Sequence, residues 1–218
     1  MTTPPPPPSP GLRERKKQAT RVALREAALR LAVEHGPDAV RVEEIAEAAG
    51  VSPRTWNNYF ASREQAIVAA VTADRETRVA AAVAARPAGT RLAEAVTEAV
   101  VEQYTGADDA PERSALLLIA ASGALCDAYL DAATAIEPPL AAVLAERLPG
   151  TGELTLRVLA AGVAAAVRIA LADWLRPAGE PTTTGGLLVP AGALPDRLRA
   201  ALAPLAPAFD AAEHAARP

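Results

Sequence analysis

Cysteine occurs once in this 218-residue chain, histidine twice, and aromatic residues make up only 3% of it. Each scarcity removes a class of chemistry. A lone Cys126 builds neither an internal disulfide framework nor a multi-cysteine zinc site, and His35 and His214 stand far apart in sequence. Paired His and carboxylate motifs, a glycine-rich phosphate cradle and an acid-rich metal loop are missing, and the acidic pair Asp108 and Asp109 has no further ligands beside it. The sequence therefore speaks against an enzyme and implies neither cofactor nor metal. The opening MTTPPPPPSPG has no apolar centre, so it reads as a short extended polyproline leader rather than a secretory signal, and the expected location is cytoplasmic. The longest uncharged apolar stretch, VLAAGVAAAV at 158–167, ends at Arg168 and is shorter than the ~20 residues a bilayer span needs, so no membrane partner is expected.

What the chain has instead is alanine, leucine and valine, within a hydrophobic share of 50%. Strand-like β-branched runs are few, and propensity summed over long windows favours an all-α fold. The net charge of -4 is unevenly spread, because residues 1–30 carry seven Lys or Arg against only Glu14 and Glu26. A chain acidic overall but basic at one end can still direct a phosphate backbone to that end. The basic arm from Arg13 to Lys17 reads either as a solvated tail or as a DNA contact.

Periodicity and punctuation predict about nine helices. The first spans LRERKKQATRVALREAALRLAVEH and stops at Gly36 and Pro37, where His35 suits the negative end of the helix dipole. A short second helix, VEEIAEA, has acidic residues in its first turn and Gly50 after its last. In VSPRTWNNYF, Ser52 is a good N-cap, Pro53 suits the first helical position, and Val51 with Trp56 occupies the positions of a hydrophobic staple. A fourth helix opens with a capping box from Ser62 and Gln65 and is expected to continue to about residue 86. Five further helices are expected at about 90–105, 111–122, 124–148, 152–176 and 191–209, with Pro138 and Pro139 kinking or splitting the third of these.

The second and third helices, joined by AAGVS, make a helix-turn-helix. Three of the chain's seven aromatic residues, Trp56, Tyr59 and Phe60, fall within it. A short helix that enters a major groove needs one face anchored and one face polar. Trp56 and Phe60, at i and i+4, supply the anchor, while Arg54, Asn57 and Asn58, at i, i+3 and i+4, share the polar face. Arginine pairs with guanine O6/N7 and asparagine with adenine N6/N7, each good bidentate contact discriminating by ~1–3 kcal/mol. Ser52, Thr55, Tyr59 and Arg63 offer donors for phosphates.

The segment VEEIAEAAGVSPRTWNNYFASREQAI resembles the DNA-binding signature of TetR-family transcriptional regulators. Ile45, Ala46, Ala49, Gly50, Val51, Ser52, Thr55, Tyr59, Phe60 and Ser62 carry the likeness, with Arg63 replacing the usual lysine. The SPRTWNNYF form is similar to a subset common in actinobacteria. Arg41 stands where the family usually has a capping threonine, and Asn57 where it often has tyrosine, so the operator sequence does not transfer. Carried over residue by residue, the resemblance implies a DNA-binding set of Arg41, Ser52, Pro53, Arg54, Thr55, Asn57, Asn58, Tyr59 and Arg63. Arg54 and Asn58 are assigned to bases, Asn57 to base or phosphate, and Arg41, Ser52, Thr55, Tyr59 and Arg63 to phosphates.

The resemblance also implies an Ω-shaped homodimer that represses by occupying a palindromic operator and is released by a small hydrophobic ligand. The expected organisation is a leader at 1–10, a DNA-binding domain at 11–61, a helical regulatory and dimerisation domain at 62–210 and a tail at 211–218. Leu156, Leu159, Val163, Val167, Ala170 and Trp174 follow an apolar spacing that suits a dimer seam, with Gly162 allowing close approach. Tyr104, Cys126, Tyr129, Arg168 and Trp174 are the rarer side chains of the second domain and its candidate ligand contacts, although no spacing brings them together. A regulator without a ligand, whose helical domain serves only dimerisation or a protein partner, is the alternative.

Overall fold

The computed structural model describes residues 11–105, 110–175 and 193–216, with side chains described at all of these except 105 and 110–113. The polyproline leader, the Asp108 and Asp109 pair and the proline- and glycine-rich stretch at 176–192 lie outside the described residues. Within them the chain is all-helical, and each of the nine expected helical runs is found in order. Three of the runs are subdivided. Packing separates two compact units, Met1–Ala70 and Val71–Pro218.

The amino-terminal unit holds α1 (Leu12–His35), α2 (Val42–Ala48), α3 (Pro53–Trp56) and most of α4 (Arg63–Thr72). Leu24, Ala28 and Ala32 line one stripe of α1, and they are buried together with Val40, Ile45, Trp56, Phe60 and Ile67. Ala46 is buried there too, and Trp56 is the largest side chain of this core. The loop between α1 and α2 is tied by Arg63, whose Nη1 donates to the carbonyls of Asp38 at 3.0 Å and Val40 at 2.9 Å. A buried loop carbonyl needs such a partner.

The carboxy-terminal unit contains α5 (Arg75–Ala85), α6 (Leu92–Thr105), α7 (Ala110–Ala121), α8 (Gly123–Ala132), α9 (Glu137–Arg147), α10 (Glu153–Leu175), α11 (Leu194–Leu202) and α12 (Ala206–Ala215). Two short 3-10 turns, Ala133–Ile136 and Ala203–Leu205, join α8 to α9 and α11 to α12. Helix α10 is the centre, packed against α9 on one side and α11 on the other, while α5 packs on α6 and α9. Arg147, at the end of α9, closes the α5 terminus by donating to the carbonyls of Val83, Arg86, Pro87 and Thr90 at 3.0–3.4 Å. Those carbonyls lie at and beyond a helix end, where the regular i to i+4 donors run out, although Val83 and Pro87 also accept from the N–H groups of Arg86 at 3.2 Å and Thr90 at 2.9 Å.

The subdivisions have local causes. The helix expected at 62–86 breaks at Asp74, which takes the left-handed conformation at φ 56°, a state that Asp tolerates better than most residues. Between α8 and α9 the break comes just before Pro138 and Pro139. The two prolines then fall in the first turn of α9, where a missing N–H costs no helical hydrogen bond. The last run continues through Ala215, so most of the expected 211–218 tail is helical.

Helix α10 corrects the expected dimer seam. Leu156, Leu159, Val163, Val167 and Ala170 are buried within their own chain, and Trp174 is half-buried. A Cβ on Gly162 would meet Leu205 at 3.3 Å, so the small residue serves an intrachain contact. The exposed large apolar residues of α10 are Leu154 at 75%, Val158 at 62% and Ile169 at 62%. Helix α10 has 23 residues and a mean hydropathy of 1.8 over its most apolar stretch, long and apolar enough to cross a bilayer, but half of that stretch is buried. A core helix of a globular unit passes the same test.

Candidate nucleic-acid interface

The turn between α2 and α3 is built by backbone geometry. Gly50 takes φ 69°, its N–H donates to the Glu47 carbonyl at 3.0 Å, and the Val51 N–H donates to the Ala46 carbonyl at 2.9 Å. These are the paired bonds of a Schellman stop. No atom lies within 4 Å of where a Cβ on Gly50 would sit, so conformation rather than space asks for glycine there.

The next helix starts at once. The Ser52 side chain accepts from the Thr55 N–H at 3.3 Å, Ser52 Oγ and Thr55 Oγ1 share a 2.9 Å hydrogen bond, and Pro53 is the first helical residue. At α2 the cap is only half made. The Arg41 N–H donates to Glu44 Oε2 at 3.0 Å, but a guanidinium has no acceptor with which to return the bond. Arg41 is thus left exposed at the helix start. Helix α3 is a single turn of four residues. After Trp56 the chain closes by i to i+3 bonds, Asn58 N–H to Thr55 carbonyl at 3.1 Å and Tyr59 N–H to Trp56 carbonyl at 2.8 Å.

This tightening still separates two faces. Trp56 and Phe60 are 2% and 3% exposed, with ring centres 5.4 Å apart and tilted by 39°. Arg54, Asn57 and Asn58 are all exposed, and Thr55 and Tyr59 are half-buried beside them. Arg21 of α1 braces the turn. Its guanidinium lies 4.8 Å from the Phe60 ring centre and donates to the Tyr59 carbonyl at 3.3 Å. Aromatic burial thus fixes a segment too short to hold itself, leaving its polar edge in solvent.

Arg63 sits differently from the other assigned residues. Besides the two loop carbonyls, it pairs with Glu64 at 2.7 Å and approaches Asp38 at 3.7 Å, and it is half-buried. Burial opposes ionisation of Glu64, but hydrogen bonds from Arg63 and the local backbone outweigh it and hold the carboxyl below its ordinary value. Ser62 and Gln65 open α4 as expected, with the Gln65 N–H donating to Ser62 Oγ at 3.1 Å and Gln65 Oε1 accepting from the Ala61 N–H at 2.8 Å.

In the other unit, two of the five candidate ligand residues meet. Tyr104 and Tyr129 flank Arg75, which is 4% exposed, lies 4.6 Å from the Tyr104 ring centre and donates to Tyr129 Oη at 3.1 Å. With Thr72, Glu76 and Ile136 they line a small cavity of about 10 Å³, room for about one water. Burial pushes the Tyr104 hydroxyl well above its ordinary value, so that group stays protonated. Cys126 is half-buried, with its thiol raised by burial and by Asp127, and Arg168 is exposed on α10. Neither these two nor Trp174 lines the cavity. Arg75 was missed in the sequence, where one arginine at a helix start carries no sign of burial.

Comparison with known proteins agrees with this geometry. Residues 24–70 match the model described as bacterial regulatory proteins, tetR family. The chain is similar to the HTH-type transcriptional regulator TcmR of Streptomyces glaucescens, 34% identical over 149 residues that cover 65% of this chain and 66% of that protein. It is also similar to the HTH-type transcriptional regulator BetI of Rhizobium meliloti (strain 1021), 47% identical over 51 residues that cover 23% of this chain and 25% of the relative. The matched parts therefore span just under two thirds of the first relative's length and a quarter of the second's.

Proposed function

We propose that this protein, whose residues 24–70 match the tetR family model, is a DNA-binding transcription regulator, working in the cytoplasm as a homodimeric repressor on a palindromic operator. The observation that carries the reading is the division of the α3 turn, with Trp56 and Phe60 buried and Arg54, Asn57 and Asn58 exposed. Arg54 and Asn58 read bases, and Asn57 takes a base or a phosphate. Ser52, Thr55, Tyr59 and Arg41 hold phosphates, with Pro53 fixing the approach of the backbone. Arg63 acts mainly by holding the 38–40 loop in place, since its donors already face two carbonyls and two carboxylates.

Two copies are needed because one turn reads only a few base pairs, and symmetry doubles the site. The exposed apolar edge of α10, at Leu154, Val158 and Ile169, is the dimer face this reading uses. A monomeric mass in dilute solution would overturn it. Release follows when a small hydrophobic effector enters the carboxy-terminal unit near Tyr104 and Tyr129, with Arg75 meeting any polar end, and shifts the population toward spacings that no longer match the half-sites. The small volume of that cavity favours a second reading, in which this unit only dimerises or binds a protein.

The test is selection of an operator from random duplexes, followed by the same selection with Arg54→Ala. The variant is expected to lose ~1–3 kcal/mol of binding to the selected site and its preference at one base position in each half-site. Equal affinity and selectivity would remove Arg54 from the reading edge.

A further inference from the structure

Helix α1 begins well before the core needs it. Residues 12–19 are exposed throughout, and the first buried side chain of the helix is Leu24. Two turns of helix without a buried face gain nothing from packing, and helical stability in proteins comes mostly from packing. Their side chains are nonetheless organised. Arg13, Lys16, Lys17 and Thr20 follow i, i+3, i+4 and i+7, the spacing of one helix face. That face and the recognition turn, through Asn58 and Tyr59, line one open groove of about 720 Å³.

The groove is electropositive and held in register. Three cations line it against the single carboxylate of Glu14. Among the described residues, Arg13, Lys16 and Lys17 have no ion-pair partner. One turn further along α1, Arg21 grips the recognition turn through the Tyr59 carbonyl and the Phe60 ring, so the basic face cannot slide relative to Asn58.

We propose that this groove is a second DNA-binding surface, in which the first two turns of α1 run along the sugar-phosphate strand flanking the bases read by α3. Arg13, Lys16 and Lys17 neutralise phosphates there, and Thr20 and Tyr59 add hydroxyl donors from the two walls. The occupant is duplex DNA backbone, chosen by charge complementarity and by the shared wall with Asn58. The surface adds affinity and on-rate without reading sequence. It rests on the DNA-binding reading above and extends the contact beyond the recognition turn.

Counterion release makes the surface measurable, since the slope of log K against log salt falls by ~0.9 for each phosphate neutralised. Operator affinity is measured from low to moderate salt for wild type, for Arg13→Ala/Lys16→Ala/Lys17→Ala and for Glu14→Gln. The triple variant is expected to flatten the slope by roughly 2 to 3 and to weaken operator and random duplexes alike. Glu14→Gln is expected to tighten both. The conservative Arg13→Lys/Lys16→Arg/Lys17→Arg is expected to keep the wild-type slope, which separates charge from helix damage. If wild type selects no operator at all, the DNA-binding reading fails first. If it selects one and the triple variant keeps the wild-type slope, or loses discrimination without losing slope, this second surface is overturned.

Discussion

In the amino-terminal unit Arg21 lies 4.8 Å from the centre of the Phe60 ring and its side chain is exposed. In the carboxy-terminal unit Arg75 lies 4.6 Å from the centre of the Tyr104 ring and is 4% exposed. The residue types and the distance nearly repeat, but the depth does not. Over Phe60 the ring is buried and the charge is outside, so the pair clamps a turn while the guanidinium stays in solvent. Beside Tyr104 the charge itself is inside, where Tyr129 Oη and the Val71 carbonyl are among the groups that accept from it. An arginine on an aromatic ring is therefore a brace at the surface and an interior polar centre when buried.

The largest expected effect separates the two. Arg75→Ala removes the donor to Tyr129 and Val71 and opens a hole between two tyrosines, which should lower the unfolding free energy by about 2–4 kcal/mol. Denaturant unfolding followed by far-UV circular dichroism measures it. Arg21→Ala should cost only about 1 kcal/mol of stability, the range of an exposed cation-π contact, while weakening operator binding because the recognition turn loses its brace. Equal stability losses would erase the distinction, and an Arg21→Ala variant with wild-type operator affinity would leave Arg21 as packing alone.

The same contrast sets what could be read from the sequence. Around α3 every signal was local. Gly50 asked for a stop, Ser52 and Pro53 for a start, and Ser62 with Gln65 for the next start, and each lies where its neighbours required. Capping acts within four residues, so the sequence holds nearly all of it. What depends on distant partners was hidden. The donors of Arg63 are taken by a loop more than twenty positions upstream, and Arg75 meets Tyr129 across 54 positions. Helix α10 misled for a different reason. It is apolar on nearly every side, so its 3,4,4,3,4 spacing identified a real face but could not say whether the chain's own core or a second copy covers it. Asp74, the one non-glycine residue at positive φ among the described residues, leaves no trace in hydrophobic periodicity at all.

The smallest expected effect extends the comparison to pH. Glu64 is held below its ordinary value of 4.5, so its carboxylate contributes stability that is fully present above that value and is lost as pH falls through the lowered one. Tyr104 is raised above its ordinary value of 10.0, so its contribution is present below pH 10 and declines only as alkaline pH removes the proton. The amino-terminal unit should then be the acid-sensitive one. Hydrogen exchange read residue by residue between pH 6 and pH 3 is expected to show protection falling around residues 38–40 and 62–66 earlier than around Tyr104, because a protonated Glu64 no longer steadies the arginine that holds the loop carbonyls. Glu64→Gln should bring that loss of protection to neutral pH and make it independent of acid. If the variant and wild type respond to acid in parallel, the loop is held by the carbonyl bonds of Arg63 without help from the carboxylate, and the Asp38 contact at 3.7 Å becomes the next group to remove.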